Sequence, residues 1–247
     1  MTAYIIILVL LSALFHAFWN YLSKVSYSPQ LFLAWVAIIN IAISIAVFLV
    51  RTPVIPSSIW VYIIASGIVH FFYLASLSQA YTSGEISYVY PIARSAPGLI
   101  PIFAALILHE KISWQGVLGI SCTLVSVYMF IQPEGLYTLP KLLEYLKKPE
   151  AIWSFSTLGT IIVYSILDKK GMSEFYNQVG GSDIVNAVVY LLAESLLSAG
   201  LYVGYVFYRF PWREIVTIGQ HSGVQIFIST LLKISSYSLI LYALMTE

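Results

Sequence analysis

Residues 83–101 read SGEISYVYPIARSAPGLIP, with one arginine and three prolines at the head of a run that continues apolar to Leu108. Arg94 carries a charge it cannot lose, and each proline removes a backbone donor and clashes with the turn before it. Pro91, Pro97 and Pro101 fall within eleven positions next to Gly98, which predicts a helix that is kinked or locally broken beside its cation. Whether that helix sits in water or lipid decides the fold, and the surrounding sequence answers the question.

The chain has 247 residues, of which 60% are hydrophobic and 9% charged, against roughly 25% charged in soluble domains. No water-facing surface can be built from that composition. The apolar residues fall into runs at 3–23, 30–50, 59–80, 86–108, 114–132, 151–167, 184–208 and 222–245. A helix needs about 20 apolar residues to cross a hydrocarbon core, so eight spans are expected, with 151–167 the shortest. Breakers and charge lie between them, in SKVSYSP (23–29), RTPVIPSS (51–58), HEKIS (109–113), DKKGMSEFYNQVGGSD (168–183) and YRFPWRE (208–214). The runs lack the alternating polarity of barrel strands. The fold class is therefore all-α, a polytopic helix bundle in a membrane.

The first run has no basic residue before it and no small-x-small cleavage site, and reads as a retained span. Cys122 is the single cysteine, so no disulfide framework or thiolate metal site is available, and it reads as a small packed hydrophobe. A formal charge of +1 gives no electrostatic case for nucleic acid. Nucleotide-binding Gly-x-x-x-x-Gly-Lys, Gly-x-Ser-x-Gly and His-Glu-x-x-His patterns are all missing, which argues against a pump driven by nucleotide or an enzyme. No cofactor is expected.

The longest interruption, 132–150, separates five spans from three. Its PKLLEYLKK sets leucines beside lysines and suits either a short surface helix or a plain tether. FWNYLSK (18–24) closes the first span much as VYSILDK (163–169) closes the sixth, and SLSQAYTSG (76–84) parallels LILYALMTE (239–247). Five-helix repeats joined in series must enter the membrane in opposite senses, the plan of many secondary transporters. The expected organisation is a first repeat over 1–132, a connector at 133–150 and a second repeat over 151–247 that stops two helices short. A natural eight-span protein is the alternative.

The stretch 80–130 resembles the EamA-type transporters of the drug/metabolite transporter superfamily. The likeness rests on the Gly84–Glu85 step, the Tyr90–Pro91 pair with Arg94 three residues on, the HEKIS turn, and Gly116 with Gly119. HAFWN (16–20) and YALMTE (242–247) add to it. The resemblance implies ten helices in two inverted repeats, cytoplasmic termini, and movement of small metabolites or drugs in the cell (inner) membrane. With that sidedness the inner loops hold Arg51, Lys111, Lys169 and Lys170, and the outer ones Lys24, Lys141, Lys147, Lys148, Arg209 and Arg213. The positive-inside rule leans mildly the other way.

Ionisable groups inside a span cost about 2.5 to 3.5 kcal/mol on insertion scales and mark function by default. His16, His70, Arg94, Glu194 and Lys233 qualify. Each has polar company at helical spacing: Trp19, Asn20 and Ser23 with His16, Ser66 and Tyr73 with His70, and Ser87 and Tyr90 with Arg94. Tyr190 and Ser198 accompany Glu194; Ser229, Ser236 and Tyr237 accompany Lys233. Arg94, His16, Trp19, Asn20, His70, Tyr90, Glu194 and Lys233 are thus the candidate substrate-binding residues. Structural hydrogen bonding is the competing role for each. Glu194 and Lys233 either neutralise each other or serve in coupling, with Glu194 a candidate proton carrier. Glu85, His109 and Glu110 read as solvated loop residues, and GLYVG (200–204) as a weak close-packing motif.

The expected activity is secondary transport of a small molecule by alternating access through a central cavity. A non-transporting scaffold, a subunit or an inactive short form is the alternative. The expected partners are the lipid bilayer and a small-molecule substrate, with a homodimer left open.

Overall fold

A computed structural model describes residues 3–109, 111–131, 144, 146–179 and 184–246. Among them there are helices and no strands: α1 (Ala3–Val25), α2 (Pro29–Arg51), α3 (Trp60–Ser83), α4 (Ile86–Ala93) and α5 (Ala96–Leu108) come first. The remaining helices are α6 (Trp114–Ile131), α7 (Pro149–Val179), α8 (Ile184–Arg209) and α9 (Trp212–Thr246). Seven segments are long and apolar enough to cross a membrane, with α4 and α5 together making one of them, Ile86–Ile107. The apolar part of α6, Trp114–Met129, is shorter.

Local chemistry explains the boundaries. The Ser28 hydroxyl accepts from Leu31 N and Pro29 occupies the first turn of α2, where its missing donor costs nothing. Thr52 closes the helix in the left-handed region (φ 39°), its N–H bonded to Phe48 O at 3.0 Å. Phe210 and Pro211 alone separate α8 from α9, a tighter turn than the 208–214 loop expected.

Two expectations about loops are corrected. DKKGMSEFYNQVGGSD is helical as far as Val179, because the buried face Ile161, Tyr164, Asp168, Met172 and Phe175 keeps a three-or-four-residue repeat through the charges. The final span begins at Trp212 and bends at Ser222 (φ −118°, ψ 17°), instead of starting at 222. The surface helix anticipated around 141–148 falls mostly outside the described residues, as does Glu110; 146–148 form a turn into α7.

The described residues divide into two compact units: those within Met1–Phe71 and Leu167–Glu247, and those within Phe72–Ile166. Helices α3 and α7 contribute to both. In the first unit α1 packs on α9, α2 on α8 and α9, and α8 on α9. Its apolar core gathers Ile59, Ile63, Met172, Phe175, Tyr190 and Leu241. Trp35 on α2 donates to Ile215 O on α9 at 2.7 Å, and its ring lies against Gly219. In the second unit α4 and α5 pack on α6, where the Thr123 side chain fills the space beside Gly98.

Close helix approach uses small residues. Gly67 on α3 meets the Glu194 backbone and Leu197 on α8, and Gly171 on α7 lies against Tyr62 and Tyr190. Gly200 and Gly204, the expected close-packing pair, have nothing beside them among the described residues. A Cβ at Gly171 would stand 2.6 Å from the Tyr190 hydroxyl and 2.9 Å from Tyr62 Cβ. Gly171→Val should therefore lower stability by about 1–3 kcal/mol, whereas Gly200→Ala should lose none. Thermal unfolding of the detergent-solubilised protein checks both.

Candidate functional site

In the second unit the proline-rich stretch is two helices. Pro97 has no N–H to return to the carbonyl of Ala93, and α4 ends there, with Arg94 and Ser95 forming the break. The freed positions are bridged locally: Ser95 N and Oγ reach Ile92 O at 3.2 and 2.8 Å, and Gly98 N reaches Ser95 O at 2.9 Å. Arg94 leaves the helix at this point. Its Nη2 donates to the Tyr73 hydroxyl at 3.0 Å, and its guanidinium carbon stands 5.7 Å from the centre of the Tyr90 ring. The Tyr164 ring meets Tyr73 edge-on at 5.5 Å, and the buried Tyr81 is close enough to act electrostatically on the cation. Tyr73, read from the sequence as company for His70, serves Arg94.

In the first unit a second polar cluster joins α3, α7, α8 and α9. Asp168 is fully buried and accepts from Tyr190 on α8 at 3.0 Å through Oδ1 and from Tyr237 on α9 through Oδ2. Ser66 on α3 faces it as well. One turn along α3, His70 Nδ1 lies 3.1 Å from Ser66 O, 3.1 Å from Ser66 Oγ and 3.1 Å from Glu194 Oε1 on α8. The His70–Glu194 approach has ion-pair distance without the alignment of a hydrogen bond. The His70 ring also meets Tyr237 edge-on at 5.4 Å. Lys233 and Asp168 both act electrostatically on Glu194, while Ser198 faces its carboxylate.

His16, Trp19 and Asn20 lie where α1 meets α9. Ser236 Oγ is 3.2 Å from His16 Nδ1, Ser12 donates to Ser236 O at 2.6 Å, and Ser229 reaches Trp19 O at 3.5 Å. Asn20 turns back to His16 O at 2.6 Å. Trp19 and Asn20 are buried and His16 is half-buried.

The eight sequence candidates thus fall into three groups: Arg94 with Tyr90; His70 with Glu194 and Lys233; His16 with Trp19 and Asn20. Sequence reasoning missed Asp168, which it assigned to a loop. Two signals pointed to it. It continues the buried face of α7, and in the pairing of VYSILDK with FWNYLSK it corresponds to Ser23, which is buried inside α1.

No described group of three or more His, Cys, Asp or Glu side chains is arranged to hold a metal ion. The second cluster instead presents a carboxyl group that accepts hydrogen bonds from two phenols, beside a second carboxyl group, an imidazole and a lysine. Removing one phenol should leave Asp168 under-satisfied. Tyr190→Phe should destabilise by about 1–3 kcal/mol, and combining it with Asp168→Asn should cost less than the sum of the two single changes. Thermal unfolding of the four proteins in detergent measures that coupling.

The comparisons with known proteins agree with this architecture. The model of the EamA-like transporter family matches residues 3–132. No curated protein and no solved structure gives a match. With apolar helices throughout and more than half of its length matched, the chain is a multi-pass membrane protein and belongs to the EamA-like transporter family.

Proposed function

We propose that the protein is a secondary transporter of the cell (inner) membrane that moves small amphipathic or zwitterionic metabolites by alternating access. The observation that carries this reading is the break at Arg94. A fixed cation sits where a membrane-depth helix is interrupted, hydrogen-bonded to one phenol and lying near the face of another. A charge held at that depth is costly, and a guanidinium fork matches a carboxylate in two parallel hydrogen bonds. Phenol rings beside it offer apolar faces for the rest of a solute. The substrate class that fits is a small organic acid or amino acid, with its carboxylate on Arg94 and its body against Tyr90. A second group, His16, Trp19 and Asn20, is weaker as a site, because His16 is bonded to Ser236 on α9 and Asn20 to the His16 carbonyl within α1.

The test is flux. The full chain, reconstituted into liposomes, should accumulate members of a panel of labelled amino acids and monocarboxylates above protein-free liposomes. Arg94→Leu should reduce that flux to background while the protein inserts and purifies as before. Arg94→Lys should fall between them, since it keeps the charge and loses the fork. Undiminished flux in Arg94→Leu would make the arginine structural.

A further inference from the structure

We infer that the buried cluster of Asp168, Glu194 and His70, with Lys233 beside it, is a proton-binding site that takes up and releases one proton in each transport cycle, coupling solute movement to proton movement. The inference rests on the transport reading for its second half only; the proton site stands on the geometry of the first unit.

The four side chains come from four helices: Glu194 lies 3.1 Å from the His70 imidazole, and Asp168 and Lys233 are near enough to act on it electrostatically. With Lys233 protonated and His70 neutral, the cluster carries one uncompensated negative charge. One added proton makes it neutral. A buried site with a single unbalanced charge is unstable in hydrocarbon, so its proton number is the quantity that any change in solvent access alters.

The geometry then says where that proton resides. Both oxygens of Asp168 are engaged by phenol donors, Tyr190 and Tyr237. A carboxylate held by two O–H donors behaves as the ionised acceptor, and protonating it would displace one of them. Glu194 differs. Its Oε1 is 3.1 Å from His70 Nδ1 without the alignment of a hydrogen bond, so it can take a proton without displacing a donor. A proton passed from hydronium to a Glu194 oxygen forms one O–H bond and breaks one in the hydronium, leaving water and the neutral acid; release to water on the other side reverses the exchange and restores the carboxylate.

Helix α3 contributes Tyr62, Ser66 and His70; α7 contributes Asp168; α8 contributes Tyr190 and Glu194; α9 contributes Lys233 and Tyr237. On α1, His16 is bonded to Ser236, on the turn of α9 that follows Lys233. Helix α2 packs on α8 and α9 but has no ionisable side chain before Arg51. Asp168 and Lys233 are therefore the ionisable neighbours that act on Glu194 from α7 and α9. The same arrangement disfavours a metal cation as the coupling ion, since the Asp168 oxygens already accept from phenols.

Infrared difference spectroscopy of the full chain in lipid nanodiscs, titrated with acid, tests the site without any solute. One C=O stretch of a protonated, buried carboxyl should appear as pH falls. Glu194→Gln should abolish it, Glu194→Asp should keep it at a shifted frequency, and Asp168→Asn should move its midpoint. Absence of the band in the wild-type protein, or its persistence in Glu194→Gln, would overturn the proton site. In liposomes, labelled amino acids should accumulate up to about tenfold per unit of imposed pH gradient for one proton per solute, and Glu194→Gln should abolish that dependence. Amino-acid flux indifferent to the gradient would overturn the coupling while leaving transport standing. A titrating band with no movement of any solute would overturn the transport reading and the coupling with it.

Discussion

The first unit is organised around one buried carboxylate. Hydrocarbon offers no water to an ionised group, so Asp168 must draw every hydrogen bond from protein. It does so from Tyr190 and Tyr237, and those two phenols fix α7 to α8 and to α9. The other features follow from that requirement. Gly171 is one turn from Asp168 and lets Tyr190 come in against α7. Gly67 lets α3 approach α8 at the level of Glu194, which brings His70 to the carboxyl. Helix α9, anchored through Tyr237, turns its other side to α1, where Ser236 meets Ser12 and His16. A side chain that looks like a defect in an apolar helix is the point at which three helices are registered.

The second unit solves the related problem of backbone groups. Proline at 97 cannot serve the carbonyl four residues back, so the chain gives up one helical turn at Arg94 and Ser95 and recovers its hydrogen bonds with shorter local ones. What the break supplies is direction. A side chain on a continuous helix follows the helix surface, whereas Arg94 leaves from a terminus, with Tyr73 and Tyr90 to receive its guanidinium. Gly98, immediately after, admits the Thr123 side chain of α6 and keeps the restarted helix close to its neighbour.

Much of this was legible in the sequence for a physical reason. Membrane spans are long, uninterrupted signals, and all of the described apolar helices coincide with apolar runs. The break at Arg94 was legible because proline chemistry is local. Asp168 was not, because charge density was taken as the end of a span: Asp168, Lys169 and Lys170 in succession outweighed the apolar spacing that runs on through Met172 and Phe175. Charge marks a loop only when it faces water, and one strand of that information, which side of the helix Asp168 lies on, was present in its spacing. The glycines at 200 and 204 failed in the opposite way. Their spacing matched a packing motif, but a motif states that helices can approach and not that one is there.

Stability alone does not account for the ionisable cluster. Two interfaces of the same unit can be set side by side. Where α1 meets α9, serine hydroxyls bond to main-chain carbonyls across the helices, and this joins them without the desolvation of a carboxylate. Where α3, α7, α8 and α9 meet, the chain instead buries two carboxyl groups and an imidazole, with a half-buried lysine beside them. Buried ion clusters of this kind are poor sources of folding energy, and apolar replacements of similar volume often hold a bundle as well or better. The first interface shows that this fold can be joined by neutral hydrogen bonds. The second therefore carries a cost that packing does not require, and groups that change protonation state are what such a cost supplies.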